Sequence, residues 1–227
     1  MATAFAARRL QRSERQLERE ENILSAAREA LAEKGYDGVT MNALADKAGV
    51  VKKTLYNLYG SKDALLLAAI SEVINGYRGE AARAEAGIPA ILANRAAANQ
   101  RIIETPAYAE AMTKALVQAA PDHPLVRVLL RDSVAVLTAH LETAAASGEI
   151  RPGLDVPAVA EQLAAQGWGV ILLWMKGLVP LADFETTSIN GLLALLLGVT
   201  RGSRHRALAE MLNTMNPSGT QRLDVEG

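Results

Sequence analysis

Residues 52–57 hold a set of side chains that could bind nucleic acid, namely Lys52, Lys53, Tyr56 and Asn57. Lysine neutralises phosphate, whereas tyrosine and asparagine can contact phosphates and base edges in a major groove. On a helix over residues 51–59, the apolar Val51, Leu55 and Leu58 share one face, so we expect them to point inward and the polar set outward. The alternative is an ordinary helical hairpin whose lysines only face solvent.

The elements around this set have the spacing of a helix-turn-helix over residues 40–59. Thr40 can cap a short helix that ends at Ala48, and Gly49 supplies the turn to the next helix. The inward positions of the first of these helices are Met41, Leu44, Ala45 and Ala48. Gly60 ends the second, and Ser61 caps a longer helix that runs to about Ala86.

Composition favours helices throughout the chain. Aromatic residues make up 4% of the sequence, alanine and leucine are abundant, and no run alternates in the way a half-buried strand does. A capping box at Ser13 and a glycine at Gly35 bracket the first predicted helix. The later predicted helices span 88–102, 106–119, 124–147, 155–176, 184–200 and 204–215. The predicted fold class is all-α.

Charge divides the chain near Lys62. Residues 1–62 contain 11 Lys or Arg and 8 Asp or Glu, a net charge of +3, and the remainder has a net charge of −4. A basic segment on an acidic body is expected when that segment binds a polyanion, although +3 over this length also arises by chance.

Several classes of protein are disfavoured. With no cysteine, disulfides and thiolate zinc sites are excluded, and three widely spaced histidines predict no metal site. We expect no cofactor. No long apolar run follows the basic start, and the two most apolar runs, 167–175 and 191–199, are nine residues each. A membrane span needs about 20 residues, so we expect a cytoplasmic protein with no membrane association.

The two late helices are apolar on more than one face, so each must bury a second side. A second copy of the chain with C2 symmetry would supply that surface, and the alternative is a central position in a monomer. The interface candidates are Ala164, Ile171, Leu172, Leu192, Leu193 and Leu196. Polar or aromatic residues on otherwise apolar helices are candidates for a ligand pocket, each with an alternative role in the core, interface or surface. They are Tyr77, Tyr108, Gln118, His140, Gln166, Trp168 and Trp174.

About 45 residues resemble the N-terminal domain of TetR-family regulators. The resemblance lies in the runs Ile23-Leu-Ser-Ala-Ala-Arg-Glu-Ala-Leu-Ala-Glu-Lys-Gly-Tyr36, Gly38-Val-Thr-Met41, Leu44-Ala-Asp-Lys-Ala-Gly-Val50 and Thr54-Leu-Tyr-Asn-Leu-Tyr-Gly-Ser-Lys-Asp-Ala-Leu66. It implies that Thr40 and Lys62 contact phosphate and adds Thr54 to the groove-facing set. Leu58 stands where a histidine is common, and Tyr59, where a phenylalanine is common, supplies a compensating phosphate contact.

The resemblance also implies a domain plan. A flexible arm covers residues 1–12, a three-helix DNA-binding domain 13–62, a helical ligand-binding and dimerisation domain 63–216, and a flexible tail 217–227. The long helix after Lys62 joins the two domains. The predicted function is a homodimeric repressor that leaves a palindromic double-stranded DNA operator when it binds a small apolar or amphipathic effector. The alternative is a small helical enzyme or carrier, for which we find no phosphate loop, catalytic triad or metal motif.

Overall fold

In the computed structural model, residues 2–81 and 86–215 are described, with side chains for 15–76 and 86–215. These residues form helices and no strand, apart from an isolated antiparallel bridge between Ile150 and Thr200, which confirms the all-α prediction. The helices are α1 (Ala2–Gly38), α2 (Met41–Lys47), α3 (Lys52–Tyr59), α4 (Lys62–Ala81), α5 (Ile88–Glu104), α6 (Pro106–Gln118), α7 (Pro124–Val126), α8 (Asp132–Ala146), α9 (Val156–Met175), α10 (Phe184–Val199) and α11 (Gly202–Met215). A π-helical segment, Arg127–Arg131, joins α7 to α8, and a 3₁₀ turn, Leu181–Asp183, precedes α10.

Helix α1 differs from the prediction at its start and agrees with it at its end. It begins at Ala2, so its backbone is helical through residues 2–12, which were assigned to an arm, and Ser13 does not begin it. Near its end the helical geometry is interrupted at Gly35, whose φ is 67°. Glycine adopts this left-handed conformation readily, as the predicted helix-ending residue requires.

The first compact unit consists of Met1–Gly76 and Glu104–Val126. Within it, α1 packs against α2 and α6, and α2 packs against α3. Its core is built from apolar side chains of α1 to α4, α6 and α7. Fully or nearly fully buried members are Ile23, Leu31, Leu44, Leu55, Leu65, Leu66, Ile70 and Leu125.

The second compact unit consists of Tyr77–Ile103 and Arg127–Gly227. In this unit α9 packs against α8 and α10, and α11 packs against α10. Its core cluster includes Ile88, Ile91, Leu141, Ala160, Leu163, Leu192, Leu193, Leu196 and Leu208.

The compact units do not coincide with a division at residue 62. The first part of α4, to Gly76, and the segment Glu104–Val126 belong to the first unit. The segment joins that unit because α6 packs along α1, a contact between distant parts of the sequence that periodicity does not reveal. The predicted tail, 217–227, lies outside the described residues.

Among the described helices, α9 is long and apolar enough, by length and composition, to cross a bilayer. An 18-residue window of it has a mean hydropathy of 1.2, and 17% of that window is buried. The uninterrupted apolar run within this helix, 167–175, is nine residues long, because Glu161, Gln162 and Gln166 lie in its first half. The same composition suits a helix that buries one side in its own subunit and a second side against another protein.

Candidate nucleic-acid interface

Helices α2 and α3 form the predicted helix-turn-helix. The side chain of Thr40 accepts a hydrogen bond from the backbone N–H of Ala43 at 3.2 Å and so caps α2. Gly49 has a φ of 65°, which a residue with a Cβ rarely adopts. The Val50 N–H then donates to the Ala45 carbonyl at 3.0 Å, which closes the turn. Local sequence therefore fixes the direction in which α3 leaves α2.

Only one side chain of α3 is buried, and it is Leu55. The prediction that Val51 and Leu58 also point inward is wrong, since they are 69% and 41% exposed. Val51 is the N-cap residue and lies outside the helical repeat, and Leu58 lies at the edge of the buried face. Sequence reasoning therefore missed both residues as parts of the exposed surface. An exposed apolar side chain beside the polar set is suited to contact a thymine methyl group.

The predicted groove-facing residues of α3 share one exposed side. Lys52, Lys53, Tyr56 and Asn57 are exposed, and Thr54 is half-buried. The Lys52 ammonium lies 5.8 Å from the centre of the Tyr56 ring, within the range of a cation–π contact. This contact holds a cation and an aromatic ring together on the surface of the helix.

Lysines of the helix-turn-helix differ in whether they are neutralised. The Lys47 ammonium lies 2.7 Å from a Glu33 carboxylate oxygen and 3.1 Å from one of Glu29, and these hydrogen bonds raise the pKa of Lys47. Lys52 and Lys53 have no carboxylate partner among residues 15–76 and 86–215. Within the helix-turn-helix, the positive charge available to a polyanion is therefore on α3.

Lys62, the predicted phosphate contact, is half-buried at the start of α4. Its ammonium donates to the Tyr36 carbonyl at 3.3 Å and lies 5.5 Å from the centre of the Tyr36 ring. Lys62 thus satisfies a carbonyl near the end of α1. An ammonium has further N–H donors, so this contact leaves room for a phosphate.

Tyr59 lies near carboxylates of the first unit, and Thr40 caps α2. Burial raises the pKa of the Tyr59 hydroxyl, and the nearby carboxylates of Glu20 and Glu72 raise it further. A phosphate would meet the same carboxylates, which weakens the predicted compensating contact of Tyr59. Thr40 is exposed, and its hydroxyl hydrogen is not used by the cap, so it can donate to phosphate.

The predicted pocket residues are distributed over both compact units. Tyr108 and the exposed Gln118 lie on α6 in the first unit, whereas His140 lies on α8 in the second. The side chain of Tyr77 lies outside the described ones. The remaining candidates, Gln166, Trp168 and Trp174, are half-buried on α9.

Three of the candidates in the second unit have identifiable surroundings. Burial lowers the pKa of His140. The Trp174 ring meets the ring of Phe184 edge-on, with centroids 5.9 Å apart. The Gln166 side-chain oxygen accepts from Arg95 at 2.6 Å, and its amide donates to the Ser188 carbonyl at 3.2 Å. Sequence reasoning missed Arg95, although it is the only charged residue in the run 88–100.

The prediction of interface residues is wrong for half of them. Leu192, Leu193 and Leu196 are fully buried inside a single copy of the second unit, where they pack in its core, so they have no surface to offer a partner. Ala164 and Ile171 are half-buried, and Leu172 is 41% exposed. Helical spacing alone does not indicate which apolar side of an all-apolar helix is inward.

A neighbouring set of apolar residues is exposed instead. We call it the α9–α10 face, and it consists of Ala165, Leu172, Leu173, Ala194, Leu195 and Gly198. On α10 its members follow one another at helical spacing, at positions 194, 195 and 198. No group of three or more metal-ligating side chains occurs among the described residues of either unit.

Comparison with known proteins identifies the N-terminal segment. Residues 23–69 match the sequence model of a family described as "Bacterial regulatory proteins, tetR family". The match begins in α1, includes α2 and α3, and ends in α4. No curated protein sequence matches the chain. The predicted resemblance to TetR-family regulators is confirmed.

Solved structures of regulators share the fold. TylP, a tetR regulator from Streptomyces fradiae, is 24% identical with a TM-score of 0.68, and the match covers 89% of this chain and 98% of that one. FadR from Bacillus subtilis, in complex with stearoyl-CoA, is 21% identical with a TM-score of 0.67, covering 78% and 97%. SmeT, the repressor of the Stenotrophomonas maltophilia multidrug efflux pump SmeDEF, is 20% identical with a TM-score of 0.65, covering 81% and 91%. At these identities the likeness establishes the fold.

Proposed function

Because its helix-turn-helix segment is that of a TetR-family regulator, we propose that this DNA-binding transcriptional regulator acts as a homodimeric repressor released from its operator by a small effector. The observation that supports this most directly is the exposed polar side of α3. It combines two lysines without carboxylate partners, Lys52 and Lys53, with Tyr56 and Asn57. Cations position a helix on phosphates, and tyrosine and asparagine can distinguish base edges.

The dimer contact that we propose is the α9–α10 face. Three large apolar side chains of this face, Leu172, Leu173 and Leu195, are at least 37% exposed in a single copy. A Cβ added at Gly169 or Gly198 would meet nothing within 4 Å, so packing inside the subunit does not require glycine there. Helical glycine costs about 1 kcal/mol relative to alanine, and close approach of a partner helix would give both positions a role.

This assignment also gives α9 a place outside the membrane. The helix contains Glu161, Gln162 and Gln166, and Gln166 hydrogen bonds inside its own unit. Burial of the exposed apolar side chains against a second copy removes them from water as a bilayer would. A DNA partner requires access to the compartment that holds DNA, so we propose a cytoplasmic location.

Dimer symmetry determines the form of the operator. Two recognition helices about 34 Å apart reach successive major grooves on one side of the duplex. Since a C2 dimer presents the same α3 twice, we expect an imperfect palindrome with half-sites about one helical turn apart.

The effector acts by binding one conformation of the body better than the other. The similar FadR structure contains stearoyl-CoA, and a similar SmeT structure contains triclosan. These ligands are apolar or amphipathic, in line with the predicted effector class. We propose α4 as the connector, because its start, at Lys62, contacts the end of α1, and its residues beyond Gly76 belong to the second unit.

Selection of DNA fragments by the purified protein, followed by sequencing, tests the proposal. We expect enrichment of one imperfect palindrome, first of all in the DNA upstream of the protein's own gene. The Lys52→Ala variant should lose this enrichment, and the control Lys114→Ala, an exposed lysine on α6, should keep it. Enrichment of no sequence, or equal enrichment by the Lys52 variant, would contradict the assignment of α3 as the recognition helix.

A compound screen tests the repressor mechanism separately. We expect compounds that bind the second compact unit to lower operator affinity. A collection of body-binding compounds that leaves operator affinity unchanged would contradict effector control. The alternative of an enzyme or carrier gains nothing from the comparisons, since the similar structures described above are of regulators.

A further inference from the structure

Arg95 is a half-buried cation with no described carboxylate beside it. Its guanidinium donates to the Gln166 side-chain oxygen at 2.6 Å, to the Ser188 hydroxyl at 3.3 Å and to the Leu163 carbonyl at 2.9 Å. All three acceptors are neutral, and no described carboxylate lies within ion-pair distance. Burial alone lowers the pKa of Arg95 to about 10, so the group remains charged at neutral pH. A charge that loses much of its hydration is normally paired, because an isolated one is costly.

A second unsatisfied group belongs to the same hydrogen-bonded cluster. Asn99, one helical turn after Arg95 on α5, is 2% exposed. Its side-chain oxygen accepts from the Ser188 hydroxyl at 3.1 Å, whereas its Nδ2 has no partner. The cluster therefore contains a cation without an anion and an amide donor without an acceptor. Both deficits would be met by one anionic ligand that accepts hydrogen bonds.

Two glycines make room for the cluster. A Cβ at Gly167 of α9 would come within 2.9 Å of the guanidinium carbon of Arg95. A Cβ at Gly191 of α10 would overlap the side-chain amide of Gln166. Distances of this kind do not occur in well-packed proteins, so any larger residue at either position would displace the polar groups. The two glycines thus leave space on α9 and α10 for the ends of the Arg95 and Gln166 side chains.

We propose that Arg95 and Asn99 form a subsite for the carboxylate of an amphipathic effector. A carboxylate matches the planar guanidinium, which has N–H donors beyond those used by Gln166, Ser188 and Leu163. It also has a single negative charge, as one cation requires, whereas a phosphate dianion would leave a buried charge uncompensated. Ile91, one helical turn before Arg95, and Leu163, whose carbonyl Arg95 binds, belong to the apolar core of the second unit, so the charged group lies beside apolar side chains. The inference rests on the proposed function in that the second unit is the effector domain.

Binding of matched ligand pairs to the full chain tests the subsite. The probes are the straight-chain carboxylates from hexanoate to dodecanoate, the alcohols of the same lengths, and inorganic phosphate, measured by isothermal titration calorimetry. We expect at least one carboxylate to bind about tenfold more tightly than its alcohol, a difference of about 1.4 kcal/mol. Arg95→Gln should abolish this preference. The control Arg206→Gln, which removes an exposed arginine of α11, should keep it.

Asn99→Asp is a second variant, included because lost binding in Arg95→Gln could reflect only a failure to fold. The new carboxylate still accepts from Ser188, supplies an anion to the cluster and removes the unpartnered N–H, so we expect a higher melting temperature together with loss of the carboxylate preference. Equal binding of acids and alcohols by the wild type, retention of the preference in Asn99→Asp, or tighter binding of phosphate than of any carboxylate would overturn the proposal.

Operator binding separates this inference from the proposed function. If carboxylates bind through Arg95 and never release operator DNA, the subsite stands and effector control fails. If the wild type binds its operator and shows no carboxylate preference, the subsite fails while the DNA-binding function stands.

Discussion

Helix α3 of the first compact unit and helix α10 of the second each divide their side chains between a buried and an exposed set. On α3 the buried residue is Leu55, and the exposed set is dominated by lysine, tyrosine and asparagine. On α10 the buried set includes Leu193, and the exposed set contains Ala194 and Leu195. A charged exposed side is suited to a polyanion and an apolar exposed side to another apolar surface. The two helices are therefore suited to different partners, although each packs in its own unit through buried leucine side chains.

The units also differ in what perturbs their ionisable groups. In the first unit, hydrogen bonds to charged or ionisable partners shift the pKa values. A hydrogen bond from Lys47 lowers the pKa of Glu33, and hydrogen bonds with Glu72 and Arg28 lower the pKa of Glu21. In the second unit the pKa values of Arg95 and His140 are lowered by burial alone. Lys47 and Arg28 of the first unit are paired with carboxylates, whereas Arg95 and His140 of the second are half-buried with no carboxylate partner among the described residues, although Arg204 of that unit pairs with Glu149 at 3.0 Å. The anion subsite is placed in the second unit because Arg95 binds only neutral acceptors there and Asn99 has an unpartnered amide in the same cluster.

The largest expected effect sharpens the contrast within α10. Leu193→Glu places a carboxylate in the core, at a cost on the order of 5 kcal/mol, which is comparable with the whole stability of many domains. We expect loss of the cooperative thermal transition in circular dichroism. Leu195→Glu, two residues further on, should keep the helical spectrum and yield a monomer in light scattering with no operator binding. A folded Leu193→Glu protein, or a dimeric Leu195→Glu protein, would break the assignment of the two sides.

A smaller effect is expected on α3. Tyr56→Ala and Lys52→Ala should each cost roughly 1–3 kcal/mol of operator affinity if the side chains contact base edges. The loss should depend on particular base pairs, because phosphate contacts alone do not discriminate sequence. Fluorescence anisotropy with operator variants measures both quantities. Unchanged affinity in both variants would exclude α3 as the recognition helix.

Lys62 lies between these cases, since its ammonium binds a protein carbonyl and is also proposed to bind phosphate. Lys62→Ala should cost about 1 kcal/mol of stability for the lost hydrogen bond to Tyr36. It should also weaken binding to all DNA sequences alike and reduce the salt slope by about 0.9, the value for one phosphate. A destabilised variant with an unchanged salt slope would show that Lys62 serves only the Tyr36 carbonyl.

The smallest effect concerns pH. Burial holds the pKa of His140 below its unfolded value of 6.5, so the unfolded chain binds a proton at this residue more readily than the folded one. The folded state is therefore favoured at this residue above pH 6.5 and loses that contribution as the pH falls below it. Urea denaturation at neutral pH and near pH 5 should show a smaller loss of stability in His140→Gln than in the wild type. Identical losses would mean that His140 titrates as an exposed histidine.

Local sequence determined most of the helix-turn-helix. Thr40 caps α2 and Gly49 turns the chain because a hydroxyl and a missing Cβ act through their immediate neighbours. The polar residues of α3 are exposed for an equally local reason, since they lie opposite Leu55. Even here the prediction was wrong for two apolar residues, which are exposed. Val51 lies outside the helical repeat, and Leu58 lies at the edge of the buried face of α3.

Beyond the helix-turn-helix, the sequence determined that α9 and α10 are helices and that each must bury two sides. It did not determine which side faces the core. That depends on how α8, α9, α10 and α11 pack, and only the folded chain shows Leu193 buried and Leu195 exposed. The packing of α6 on α1 and the hydrogen bonds of Arg95 to α9 and α10 are likewise contacts between residues far apart in sequence. Helical periodicity describes one helix at a time, whereas burial depends on several helices together. For this reason, only the tertiary structure decided which side of α10 is buried and which distant residues meet.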